Sequence, residues 1–313
     1  MPISLSLKKI TAPLAAHLTR RRVITVAAII VGLCVLVAAT LIGLRAYHDS
    51  PGQCIARALT TIDSADAQIA HIDTALNTPL STETTTQVAL AHRAIPVARR
   101  TLASARAQLD VISDHAAHVP ATAVRLERVR RSLDARLALL SGAPPLLDAT
   151  SQAASALAHS TQGWQSLQDA ATLTDSASEE FAQQTQDAMV SSHESSTQAA
   201  DDYQRAQGQF QAAAQALPAA DFKGYLSYTQ QRALMTQSAL LACEDWINGH
   251  YQDANTDVAA YNSFAQAAAR IADAGLQLPS DLVASTYQQQ TKAAQKTYDG
   301  ARTEVLQADA ALR

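Results

Sequence analysis

The chain has 313 residues, of which 48% are hydrophobic and 4% aromatic, and it contains only 10 Gly and 10 Pro. This Ala-rich and Leu-rich composition with few turn residues favours an all-α fold, and it argues against β-sheets and against active sites built on loops. The formal net charge of -4 is modest, but the first 45 residues carry six basic residues and no acidic one, so the remainder of the chain is acidic.

The first predicted element is a transmembrane helix over residues 23–44. This run carries no charge and is long enough to cross about 30 Å of hydrocarbon. Most of the nearby basic residues precede it, so the positive-inside rule places residues 1–22 in the cytoplasm as a basic tail. We therefore predict a single-pass protein of the cell membrane, in which everything after Arg45 is extracytoplasmic.

A cleaved signal peptide is the alternative interpretation of the same segment. Residues 37–39 are small, as a signal peptidase requires, and residues 19–24 loosely resemble a twin-arginine export signal. Cleavage after Ala39 would leave several apolar residues at the new terminus, and the apolar run is longer than a typical signal core. These two points favour a permanent anchor.

Two cysteines fall on the predicted extracytoplasmic side, where disulfides persist. Cys54 and Cys243 are therefore predicted to form a disulfide, which would bring the segment around Cys243 to the membrane-proximal end. The alternative is a pair of separate buried thiols. A metal site is not expected, because neither cysteine has a second cysteine or a histidine at ligand spacing.

Three helices are predicted in a first helical segment, residues 46–141. The first runs from Pro51 to Asn77 with a stripe of isoleucines on one face. The second carries apolar residues at spacings of three and four from Val88 to Val119 without a slip, so we expect one long helix kinked at Pro96. The third runs from Pro120 to the sequence Ser-Gly-Ala-Pro-Pro at 141–145, which predicts a helix end.

A second helical segment, residues 146–313, is predicted to contain four or more helices packed with the first segment. Its apolar stripe is thin at first and becomes Ser and Thr over residues 190–198, which indicates a loosely packed or solvent-facing helix, or a frayed break. Three further helices are expected at about 222–248, 250–274 and 280–312. Long helices joined by short turns predict an elongated antiparallel bundle of Ala-rich helices.

Nine arginines lie between residues 93 and 136 against only four acidic residues, a local excess of five positive charges. They could bind an anionic polymer or lipid headgroup, or they could complement the acidic helices within the protein. No aromatic residues interleave with them, so nucleic acid is not the expected partner. The candidate anion-binding residues are Arg93, Arg99, Arg100, Arg106, Arg125, Arg128, Arg130, Arg131 and Arg136.

Histidines and aromatic residues give weaker signals. His115 and His118 are one helical turn apart, but no third ligand is apparent, so we predict no metal site. A late group of aromatics could line a ligand groove, although helical spacing is more typical of core residues. The group comprises Phe222, Tyr225, Tyr228, Trp246, Tyr251, Tyr261 and Phe264.

No phosphate-binding glycine loop or nucleophile elbow is present, so we expect no enzyme activity and no cofactor. We predict a non-catalytic, membrane-anchored scaffold or binding module of the cell envelope, with a protein or the cell wall as partner. The alternative is a ligand-sensing or transport-accessory subunit that acts through a membrane partner. A polar-lined pocket in the bundle would favour the alternative, whereas a solid Ala-packed core would favour the scaffold.

Overall fold

The computed structural model describes residues 51–81, 83–113 and 119–313. Within these ranges the chain forms seven α-helices and no strand, which confirms the predicted all-α class. The helices are α1 (Pro51–Asn77), α2 (Thr84–Val111), α3 (Pro120–Ala182), α4 (Gln186–Ala216), α5 (Lys223–Ile247), α6 (Tyr251–Asp273) and α7 (Pro279–Ala310). The predicted tail (1–22), the predicted span (23–44) and the pair His115 and His118 lie outside the described residues.

The first two helices follow the predicted apolar stripes. In α1, Ile55, Ile62 and Ile69 recur every seven residues and are buried on one face. Helix α2 continues through Pro96 and buries the same face before and after it, as predicted. It ends at Val111, earlier than the proline that was expected to end it.

The helix end predicted at residues 141–145 is wrong, because α3 continues through these residues. It runs unbroken for 63 residues and contains Pro144 and Pro145 in its interior. A proline lacks the N–H that would bond the carbonyl four residues earlier, so Pro144 leaves the Leu140 carbonyl without its helical partner. The Arg99 guanidinium on α2 donates to that carbonyl at 3.1 Å. A contact from a neighbouring helix thus satisfies a group that the proline would leave unpaired.

Four helical stretches form what we call the lower bundle: α1, α2, the first half of α3 and the second half of α7. Their shared core is made of large aliphatic side chains, including Ile62, Leu102 and Leu133, with Tyr298 and Val305 contributed by α7. Helix α7 runs antiparallel to α3, because Tyr287 contacts Thr150 and Asp309 contacts Ser132. It also runs antiparallel to α1, because Tyr298 contacts Asp73 and Asp309 lies at the level of Asp66, so α1 and α3 start at the same end. Arg136 on α3 pairs with Asp66 on α1 at 2.7 Å.

The second half of α3 combines with α4, α5 and α6 to form what we call the upper bundle. Helices α3 and α4 approach closely at Gly163, where a Cβ would lie 3.2 Å from Phe210. Phe210, Phe222 and Tyr225 stack beside this contact. Helix α6 packs chiefly on α5 and buries only Ala254 and Ala268. The upper bundle is therefore a core of α3, α4 and α5, to which the start of α7 adds Val283, with α6 laid along one side.

The chain breaks between α3 and α4 at residues 183–185, so the break predicted within 190–198 is wrong, whereas the helix predicted there as the alternative is present as part of α4. Gln184 has a φ of 51°, and the Thr185 side chain caps α4 by accepting from the Ala188 N–H. Ser192 and Ser196 lie inside α4 and are buried. Ser192 donates to the Ala177 carbonyl at 2.7 Å, so its hydroxyl contributes to helix packing.

The structure does not support the predicted disulfide between Cys54 and Cys243. Both thiols are buried, and no bond joins these two described residues. Cys54 belongs to the core of the lower bundle, whereas Cys243 on α5 contacts Ser192 in the upper bundle. A disulfide requires Cα atoms within about 7 Å, which this separation between bundles does not provide.

None of the helices in the described ranges combines the length and the apolar character that crossing a bilayer requires.

Candidate functional site

The upper bundle contains a half-open cavity of about 140 Å³, which we call the inner cavity. All four helices of this bundle line it. The apolar part of the wall consists of Ala177 on α3, Ala239 and Ala242 on α5, and Val258 on α6. Small side chains meet here from three directions, so the helices cannot fill the space between them. The remaining lining residues are Thr174, Ser178, Phe181, Ser192, Ser196, Thr236, Tyr261 and Asn262.

Most hydroxyl groups in this lining have partners in the protein. Thr174 bonds the Ala170 carbonyl and also lies 3.2 Å from the Tyr203 hydroxyl. Ser178 bonds the Thr174 carbonyl and lies 3.1 Å from the Tyr261 hydroxyl. These bonds hold α3 to α4 and α6 and fix the walls of the cavity.

Ser196 is the exception among these hydroxyls. Its residue surface is 1% exposed, and its side chain makes no hydrogen bond to any described residue. Its oxygen is not among the fully buried unpaired atoms of the described residues, so water or a ligand in the cavity can reach it. The Ser196 hydroxyl therefore offers both a donor and an acceptor inside the inner cavity.

A second depression of about 400 Å³, the outer cleft, adjoins the inner cavity at the end of α3. Phe181 and Val258 line both spaces. On the far side of these two residues, Trp246 and Tyr251 pack edge to face with centroids 5.8 Å apart and help to line the outer cleft. Phe181 and Val258 thus lie between the inner cavity and the larger, more polar outer cleft.

Charged groups surround the inner cavity but do not line it. Arg232 on α5 donates to the Tyr203 hydroxyl at 2.8 Å and lies over the Tyr203 and Tyr228 rings. Cys243 lies behind Ser192, and burial together with Glu180 and Glu244 raises the pKa of its thiol. A buried thiol with a raised pKa is a poor nucleophile. The lining therefore offers apolar groups and neutral hydrogen-bonding groups, and it presents no acid–base pair.

The predicted aromatic group is divided between core and cavity. Phe222 and Tyr225 belong to the packed core, as helical spacing suggested. Trp246 and Tyr251 line the outer cleft, and Tyr261 lines the inner cavity, which agrees with the alternative of a ligand groove. Sequence reasoning did not identify Ser196 or its neighbours. The only available signal was the change from apolar to hydroxyl side chains over 190–198.

The nine arginines are distributed around the lower bundle rather than gathered on one face. Arg106 pairs with Asp134 at 2.9 Å and Arg130 with Asp110 at 3.2 Å, so both ion pairs lie along the seam between α2 and α3. Arg99 is also at this seam, through its contact with Leu140. Arg100 donates to the Pro96 carbonyl within α2, and Arg128 donates to the Ala311 carbonyl at the end of α7.

Arg136 is buried, with a side chain that is 3% exposed. It donates to both carboxylate oxygens of Asp66 and to Asp309 on α7 at 2.8 Å. Burial alone would lower the pKa of this guanidinium, but the two carboxylates raise it, so it stays charged. Arg136 therefore complements the acidic residues of two other helices.

Three of the nine arginines, Arg93, Arg125 and Arg131, are exposed and make no ion pair or hydrogen bond with any described residue. An anion-binding role for the arginines stays a prediction, and these three are the side chains available for it. No cluster of three or more potential metal ligands occurs within the described ranges.

Comparison with known proteins adds no relative to this description. The chain matches no protein-family model, no curated protein and no solved structure.

Proposed function

We propose that this chain is a membrane-anchored, non-catalytic binding module whose helical rod holds the upper bundle away from the bilayer, outside the cytoplasm. The observation that carries the proposal is the unbroken helix α3, whose 63 residues take part in both bundles. Such a helix extends about 95 Å. Helix α1 begins at Pro51, shortly after the predicted span, and it starts at the same end as α3. The upper bundle is then the part farthest from the membrane.

The side chains of the upper bundle support a binding role rather than catalysis. The inner cavity is lined by hydroxyl, amide and apolar groups, and its lining contains no carboxylate, imidazole or amine. General acid–base catalysis requires such a group within hydrogen-bond reach of the substrate. The most concave site in this bundle thus suits recognition.

Fluorescence energy transfer from dyes at the two ends of α3 to the membrane tests directly whether α3 extends away from the bilayer. Single cysteines are introduced at Ala121→Cys and Gln184→Cys, both exposed, and labelled with a donor dye in nanodiscs that carry an acceptor lipid. We expect strong transfer from residue 121 and weak transfer from residue 184. Equal transfer from the two positions would mean that the rod lies along the membrane, and the proposed arrangement would be wrong.

Labelling of intact cells tests the side of the membrane. A membrane-impermeant maleimide should modify Gln184→Cys without permeabilisation, whereas Ser6→Cys in the predicted tail should react only after permeabilisation. The reverse pattern would refute the orientation. A purified native chain that begins after Ala39 would refute the anchor.

A second candidate function is a ligand-responsive accessory subunit, and the inner cavity is the observation that favours it. Ligand binding between α3, α4, α5 and α6 could alter how α6 packs, because α6 is held mainly by α5. Helix α7 follows α6 and joins the lower bundle through Asp309 and Arg136. A change in the upper bundle would then reach α1, which leads to the predicted span.

Photo-crosslinking in intact cells tests this second function. The crosslinked partners of the parent chain are compared with those of Ala239→Leu, which fills the inner cavity. The matched control is Ala259→Leu on the exposed face of α6. A partner whose crosslinking changes only in Ala239→Leu supports a ligand-responsive contact, and an identical pattern in all three chains contradicts it.

A further inference from the structure

We propose that the inner cavity binds a compact, uncharged molecule with an apolar body and one hydroxyl or amide group, and that this group hydrogen-bonds to Ser196. The proposal rests on the second candidate function and adds the chemical class of the ligand. Four properties of the cavity carry it: its volume, its lack of charge, the unpaired Ser196 hydroxyl and its connection to the outer cleft.

Volume limits the ligand to about one ring. The inner cavity measures about 140 Å³, and an apolar protein cavity of about 150 Å³ is known to hold benzene. A single six-membered ring or a branched alkyl group of similar size therefore fills the space between Ala177, Ala239 and Ala242. A longer molecule would have to extend past Phe181 into the outer cleft.

The lining also selects against charge. None of the residues around the inner cavity carries a formal charge, and moving an unpaired charge out of water into such a site is strongly unfavourable. The neighbouring cation Arg232 is turned toward two tyrosines. Its guanidinium donates to the Tyr203 hydroxyl and lies over the rings of Tyr203 and Tyr228. An uncharged ligand is the class that this lining can accept.

Ser196 supplies the specific polar contact. The hydroxyls of Ser192, Thr174 and Ser178 each donate to a carbonyl of α3, and that of Thr236 donates to the Arg232 carbonyl. The Ser196 hydroxyl has no such bond to a described residue and is left for a molecule inside the cavity. A ligand hydroxyl or amide could both donate to it and accept from it.

Access runs through the outer cleft. Phe181 and Val258 line the inner cavity and the outer cleft alike, and α6, which carries Val258, has few buried residues of its own. Because both residues belong to both linings, the two spaces adjoin directly. The ligand therefore enters beside Trp246, whose indole provides a fluorescence signal for entry.

The experiment is a titration of the full chain in nanodiscs with alanine methyl groups labelled for NMR. The probes are phenol, benzene and benzoate, which share a ring and differ in hydroxyl and charge. We expect phenol and benzene to shift the methyl signals of Ala177, Ala239 and Ala242. The exposed Ala259 methyl reports non-specific binding of the probes to the protein surface, and benzoate is expected to shift none of the cavity signals.

Two variants test the assigned contacts. Ser196→Ala removes the hydroxyl with little change in volume, so the Kd of phenol should rise about fivefold while that of benzene changes less than twofold. Ala239→Leu should abolish the shifts of Ala177 and Ala242 with both probes, and Ala259→Leu should leave them unchanged. Circular dichroism of each variant confirms that it is folded.

Several results would overturn the proposal. If neither phenol nor benzene shifts the cavity methyl groups of the parent chain, the cavity holds water only. If benzoate binds as tightly as phenol, the ligand class is wrong, and if Ser196→Ala affects both neutral probes equally, the assigned hydrogen bond is wrong. Binding that persists while the crosslinking pattern never responds to Ala239→Leu would contradict the second candidate function but not this site.

Discussion

The lower and upper bundles are built from the same kind of helix but are packed in opposite ways. The core of the lower bundle consists largely of Ile, Leu and Val side chains that interlock between four helical stretches. The interior of the upper bundle is dominated by Ala, Ser and Thr with a few aromatic rings, and it keeps a cavity. The comparison shows that large aliphatic side chains fill the interior of one bundle, whereas small side chains leave open space in the other.

Buried charges follow the same division. In the lower bundle, Arg136 is held between the carboxylates of Asp66 and Asp309. In the upper bundle, Arg232 is surrounded instead by tyrosines and makes no ion pair with any described residue. The lower bundle therefore joins three helices through a closed ionic network, whereas in the upper bundle the buried Asp202 pairs with Arg205 of its own helix.

Removal of Arg136 should have the largest effect on stability. Arg136→Ala leaves Asp66 and Asp309 without their cation and is expected to destabilise the fold by about 3 kcal/mol, toward the lower end for a buried pair because both carboxylates are partly exposed. Urea unfolding measures this loss. Arg131→Ala, an exposed neighbour on α3, is the control and should change stability by less than about 0.5 kcal/mol. Equal effects from the two variants would contradict the buried network.

The same Ala→Leu substitution should act differently in the two bundles. Ala98 is fully buried in the lower core, so Ala98→Leu is expected to overpack it and cost about 2 kcal/mol. Ala239→Leu points extra methyl groups into the inner cavity and should be neutral or stabilising by up to about 1 kcal/mol. Thermal unfolding of both variants tests the difference. A larger loss for Ala239→Leu would show that the cavity is not open space.

A pair of Tyr→Phe variants should change stability in opposite directions. Tyr298 donates to Asp73 at 2.8 Å in the lower bundle, so Tyr298→Phe is expected to cost about 1.5 kcal/mol. Tyr225 is buried in the upper bundle with no hydrogen-bond partner for its hydroxyl, and burial raises its pKa to about 12. Tyr225→Phe removes an unsatisfied group and should stabilise by up to about 1 kcal/mol. Destabilisation by both variants would contradict this assignment.

Acidification should destabilise the lower bundle, and this is the smallest of the four predicted effects on stability. Burial raises the pKa of Asp309, but hydrogen bonds from Arg136 and Ser132 outweigh burial and hold that pKa below its usual value. A lowered pKa means that Asp309 stabilises the fold above about pH 4 and that this contribution is lost as the pH falls further. Urea midpoints between pH 7 and pH 3 should fall less steeply in Asp309→Asn. Identical pH profiles would exclude Asp309 as the responsible group.

The sequence predicted best those elements whose signals are local. The limits of α1 at Pro51 and Asn77 follow from prolines at both ends, and the stripe through Pro96 follows from periodicity alone. The ends of α5 and α6 were marked by Gly249 and Gly275, which adopt φ values of 79° and 90°. Such positions favour glycine because it has no Cβ.

Features that depend on contacts between helices could not be predicted in this way. The helix continues through Pro144 because Arg99 on another helix reaches the Leu140 carbonyl, and nothing near the prolines in sequence indicates this. The hydroxyl stripe that includes Ser192 and Ser196 suggested a weak helix, yet these residues pack against α3 and line the inner cavity. A cavity is a property of how three or four helices fail to fill space, so no single stripe encodes it.

The continuity of α3 also makes the protein a lever. Between Arg136, where the helix is clamped in the lower bundle, and its end at Ala182, the shaft measures about 70 Å. A tilt of about 5° at the clamp would swing the tip by about 6 Å over that length. Small rotations at the clamp would thus become displacements at the far end comparable to the width of a side chain.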